Sequence, residues 1–105
     1  MKKQSETRPE TLQPVQGGCT EFNWNVTEND GGYEYDSVDV VGEVVRVNVK
    51  YAMMLELHTA DEINEMENVK RTSTDPEDIA AYAAYKAEKD SCNAIITAEL
   101  GEDFK

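Results

Sequence analysis

The chain has 105 residues, 22 of them Asp or Glu against 10 Lys or Arg, for a formal charge of −12 and a pI of about 4.3. One compact domain fits that length, and with 39% hydrophobic residues its core is small. A charge this negative argues against binding nucleic acid through its phosphates, or an anionic lipid surface, because both need a cationic face. No apolar run approaches the ~20 residues of a membrane-spanning helix.

Residues 1–17 include Pro9 and Pro14 and, after Met1, hold only Leu12 and Val15 as larger apolar side chains. They read as a flexible tail, leaving a small domain over 18–101 and a short C-terminal tail over 102–105. The basic opening, Met1-Lys2-Lys3, has no apolar stretch behind it and does not read as a secretory signal. A cytoplasmic location is therefore the expectation. Cys19 and Cys92 are too few for a disulfide framework and too isolated for a zinc motif. They read as packing thiols, with a disulfide left open because they lie near opposite ends of the domain.

From Cys19 to Val41 the signal is a β-hairpin. Phe22, Trp24 and Val26 alternate with Asn23, Asn25 and Thr27, the period of a half-buried strand, and Tyr33 to Val40 supplies the return strand. A three-residue loop, Asp30-Gly31-Gly32, pairs Phe22 with Val40 and Trp24 with Val38. A Gly31-Gly32 loop would instead set Trp24 opposite Asp39, mixing the faces, so the three-residue loop is expected. Tyr33 and Tyr35 then fall on the polar face, where a phenol keeps its hydroxyl wet.

The stretch from Glu43 to His58 is evenly poised. Val45, Val47, Val49 and Tyr51 alternate as in a strand, while Val44, Val47, Tyr51 and Met54 follow a helical spacing. Val and Asn favour strand up to Tyr51, and Ala52-Met53-Met54-Leu55 favours helix. Beyond it, Thr59-Ala60-Asp61-Glu62 is a capping box opening a helix through Ile63, Met66 and Val69 to about Lys70-Arg71. Asp75-Pro76 is a second start, a cap followed by Pro at the first helical position, for a helix over 76–100 stopped by Gly101. Tyr82, Tyr85, Cys92, Ile96 and Leu100 form its apolar stripe, and Ala80, Ala84, Ala87, Ala94 and Ala98 offer a neighbour a close approach. Such a helix also makes a homodimer an expectation.

Chemistry is sparse. His58, the only histidine, has no partner motif and reads as a helix-junction residue. The acids around Asp30-Gly31-Gly32 lack calcium-loop spacing. Asp61, Glu62, Glu77 and Asp78 fall in first turns, where the helix dipole favours negative charge. No phosphate loop, dinucleotide fingerprint or CxxC occurs. The sequence thus offers no catalytic, cofactor or metal set, and the expectation is a non-enzymatic protein. Its candidate interaction surface is aromatic: Trp24, Tyr33 and Tyr35 on the hairpin, Tyr82 and Tyr85 on the last helix.

The strings Phe22-Asn23-Trp24-Asn25-Val26, Tyr33-Glu34-Tyr35-Asp36-Ser37-Val38, the Tyr51 region, and Asp75-Pro76-Glu77 leading to Tyr82 and Tyr85 resemble a group of small uncharacterised proteins encoded in phages and prophages of anaerobic gut bacteria. The resemblance spans residues 20–96. It implies a hairpin followed by helices, with 43–57 helical, a place in the structural or tail-associated part of a phage gene cluster and hence a virion-associated location as the alternative to the cytoplasm, with no catalytic residues to transfer. The expected fold is α+β, the Phe22/Trp24/Val38/Val40 face of the hairpin packed on two to three helices. The expected partner is another protein, with neither nucleic acid nor membrane bound directly. The alternative is an acidic mimic of nucleic acid that inhibits a basic protein, suggested by the base-free stretch 18–42.

Overall fold

A computed structural model describes residues 1–105. The elements are β1 (Lys2–Ser5), β2 (Leu12–Pro14), β3 (Cys19–Asn29), β4 (Gly32–Val41), α1 (Arg46–Met54), α2 (Ala60–Asn68), a 3-10 turn (Lys70–Thr72) and α3 (Pro76–Leu100). The strands form one antiparallel sheet in the order β1-β4-β3-β2. The fold is α+β: the hairpin lies in an N-terminal sheet packed on helices, the last of them the long α3.

The first seventeen residues are not a free tail. β1 pairs with β4 and β2 with β3, one on each flank of the hairpin. Residues 6–11 must therefore cross from one edge to the other, and they do so over the face opposite the helices, where Asn23 Nδ2 donates to the Glu10 carbonyl at 2.8 Å. Polar composition concealed this because the arm is held by backbone pairing, which needs few apolar side chains. Tyr35, expected to be wet, is buried beneath the crossing, as are Asn23 and Ser37. The C-terminal residues are held too: Phe104 packs half-buried against the core, and the Arg46 amide donates to the Lys105 carbonyl at 2.8 Å.

The hairpin register differs from the expected one. Asn29 pairs with Gly32, so the loop is the two residues Asp30-Gly31, with Gly31 at φ 95°. Asp-Gly is a favoured sequence for such a loop. Carried unbroken down the ladder, that register would set Phe22 opposite Asp39. A bulge between Trp24 and Thr27 prevents this, with Asn25 in the left-handed region at φ 56°, and below it Phe22 pairs with Val38 and Trp24 with Asp36. The extra residue restores the apolar face.

That face meets the helices in a core of Phe22, Val38, Val40, Val49, Met53, Met54, Ile63, Tyr85, Cys92 and Ile96. The poised stretch is helical from Arg46. Helix α2 opens on the capping box, Thr59 Oγ1 accepting from the Glu62 amide and Glu62 Oε1 from the Thr59 amide. Asp75 caps α3, and Gly101 ends it at φ 97°. The alanines of α3 do not admit a neighbour within this chain: Ala80, Ala84, Ala87, Ala94 and Ala98 are all exposed. No helix is long and apolar enough to cross a membrane.

Candidate functional site

The five aromatic residues singled out by the sequence do not share one surface. Trp24 stacks on Phe22 with ring centroids 5.1 Å apart and lines a groove with Met53, Leu57 and Ile95. Tyr35 lies on the other face of the sheet, and Tyr33 sits near the hairpin tip beside Ser5 and Glu6. Tyr82 and Tyr85 pack together at the helical end, their centroids 6.0 Å apart. Tyr85 is buried, so it serves the interior rather than a contact surface.

Around Tyr85 the helices assemble a polar network. Its hydroxyl donates to Glu67 Oε1 at 3.0 Å, Lys89 donates to the same oxygen, and the Lys89 ammonium stands 5.5 Å from the Tyr85 ring centre. Burial raises the Glu67 carboxyl, but hydrogen bonds from Lys89 and Tyr85 outweigh it and hold the group below its ordinary value of 4.5. Burial and the Glu67 hydrogen bond push the Tyr85 phenol up. His58, at the α1–α2 junction, packs edge-on against Tyr85 and places Nε2 3.1 Å from Glu88. Every member of this network has its partner within the chain, which suits a structural brace.

The brace forms one wall of a cleft of about 500 Å³ between the three helices, lined on its apolar side by Val47, Tyr51, Met54, Ala60 and Ile63. No three His, Cys, Asp or Glu side chains converge in a metal-binding group. Cys19 and Cys92 are free: Cys92 is buried with its sulfur 3.7 Å from that of Met54, and burial raises its thiol pKa.

The most distinctive surface was not singled out from the sequence. Helix α1 turns Val49, Met53 and Met54 into the core, yet Val47, Tyr51 and Leu55 stand outward with exposures of 64, 45 and 43%. Their spacing of four residues puts them on one face. Tyr51 lines the cleft on one side, and on the other it shares a smaller hollow with Leu55, Ala52 and Val41, the last 75% exposed at the end of β4. A contiguous apolar band results. The even balance between strand and helix periodicity over 44–54 was its trace, since a helix apolar on two faces satisfies both patterns.

Compared with known proteins, the chain matches no family model, no curated protein and no solved structure.

Proposed function

We propose that this is a non-enzymatic accessory protein, of the phage- or prophage-encoded kind it resembles, that acts by contact with another protein through the outward face of α1. The observation that supports the reading is the band Val41–Val47–Tyr51–Leu55. Scattered exposed apolar residues are ordinary, whereas a contiguous group centred on a tyrosine has the composition of a docking surface. The Tyr85–Glu67–Lys89 network along the cleft is mutually satisfied, so contact rather than chemistry is the use it favours.

The charge-mimic alternative draws less support. Lys2 and Lys3 of β1 bring cations to the base-free stretch, within 3.3 Å of Asp36 and 2.7 Å of Glu21. The test compares proteins captured from the native host by the wild-type chain, by Val47→Ser/Tyr51→Ser/Leu55→Ser, and by a control altered at Ala84 and Ala87 on α3. A partner lost only with the α1 variant supports the reading. Capture that ignores α1 and collapses with salt points to the mimic.

A further inference from the structure

We infer that the partner seated on the α1 face is a second copy of this chain, in an isologous pair centred on Tyr51. This rests on the reading of α1 as the docking surface and names its occupant. The first argument is electrostatic. Two chains that each carry −12 repel on approach. Residues 44–55, which include the whole of α1, form the longest acid-free run in the sequence, and they carry Arg46 and Lys50. Arg46 is spent on the C-terminal segment and Lys50 is half-buried, so α1 presents an apolar, carboxylate-free face in an otherwise acidic molecule. Two copies meet there at the least electrostatic cost, with acids such as Asp39 at the rim of the contact. A strongly basic partner would instead meet Lys50 and find no carboxylate within the run.

The second argument is symmetry. A two-fold interface must be self-complementary, each contact occurring twice except on the axis. Val47 and Leu55 flank Tyr51 by four residues on either side, about one helical turn each. An antiparallel approach of two α1 helices sets Val47 against the partner's Leu55 and brings Tyr51 against its own counterpart on the axis. Val41 widens the same patch.

The contact is apolar while the net charges repel, so added salt should tighten it: screening shortens the reach of the repulsion and leaves the apolar burial in place. The experiment is sedimentation equilibrium on the full chain from micromolar to millimolar concentration, at low and high salt, with circular dichroism to verify folding. The wild type should show a monomer–dimer equilibrium that strengthens severalfold at high salt. Tyr51→Glu and Leu55→Lys, which add charge of opposite sign at exposed positions, should each weaken it by about tenfold or more.

A wild-type monomer at millimolar concentration and high salt overturns the proposal. So does a dimer indifferent to both substitutions, or one abolished only by Ala84→Arg on α3. If the chain is monomeric but host-partner capture still depends on α1, the second copy is refuted while the docking surface stands.

Discussion

Arg46, the first residue of α1, lays its guanidinium 5.8 Å from the centre of the Phe104 ring and donates to the Phe104 carbonyl at 2.9 Å. The same fork donates to Asn93 Oδ1 and Thr97 Oγ1, both at 2.9 Å, and to the Gly101 carbonyl at 3.0 Å. One side chain thereby ties the start of α1 to the end of α3, where unpaired carbonyls and the negative end of the helix dipole favour a cation. Arg46→Ala should lower the unfolding free energy by about 2–4 kcal/mol, the sum of several charge-assisted bonds after solvent competition. Lysine keeps the charge and loses the planar fork, so Arg46→Lys should recover less than half of that. Urea unfolding followed by circular dichroism measures both, and unchanged midpoints would refute the clamp.

Asn23 and Ser37 face each other across β3 and β4, both 1% exposed, and neither Asn23 Oδ1 nor Ser37 Oγ has a hydrogen-bond partner. Removing an unmet buried hydroxyl relieves a desolvation cost. Ser37→Ala should therefore change stability by no more than about 0.5 kcal/mol or raise it slightly, whereas Asn23→Ala strands the Glu10 carbonyl and should cost about 1–3 kcal/mol. Equal losses from the two variants would contradict this division.

Below neutral pH the Glu67 brace sets a sign. Its folded pKa lies below the unfolded value, so its contribution is present above about 4.5 and is lost as pH falls through the lower folded value. Glu62, held down by the Thr59 amide, works in the same direction. Glu67→Gln should be about 1–2 kcal/mol less stable at pH 7 and show a shallower loss on acidification. At alkaline pH the raised Tyr85 phenol acts oppositely: above pH 10 the unfolded chain ionises first and stability declines. Tyr85→Phe should remove that part of the decline. Unfolding midpoints across pH decide the matter, and parallel curves for wild type and Glu67→Gln would rule out the assignment.

Gly32 marks the closest approach of the arm to the hairpin, since a Cβ there would collide with the Ser5 carbonyl oxygen. That obstacle is backbone and cannot rotate away. Gly32→Ala should push β1 outward, costing about 1–3 kcal/mol and accelerating amide exchange over residues 2–5 more than over β3. Uniform exchange rates in the two strands would speak against local displacement.

Most of the helical half was legible because its signals are local. Thr59 and Glu62 reach each other across one turn, and Asp75, Pro76 and Gly101 act on backbone within a few residues. The alternation of Phe22 and Trp24 also identified the correct apolar face. The register escaped because it depends on Asn25 adopting a left-handed conformation, a choice that pays off only once Phe22 and Val38 are both buried. The arm escaped for a related reason: the pairing of Lys3 with Tyr35 is long-range backbone bonding, which leaves no periodic trace in three or four residues. Of the aromatic surface, the sequence ranked Tyr85 with Trp24 because both are amphipathic, although burial beneath α2 decides what Tyr85 can touch.

The crossing of residues 6–11 has a further consequence. A β-ribbon whose lateral hydrogen-bonding rows lie bare is a template for other chains, and here one continuous strap covers part of each row, β1 along Tyr33–Asp36 of β4 and β2 along Thr20–Phe22 of β3. A single cleavage within that exposed crossing would cut the tie between the two caps, each only three or four residues long. Nicking there should therefore bare the flanks of the hairpin in one step, and thioflavin binding that stays flat as the nicked species accumulates would refute it.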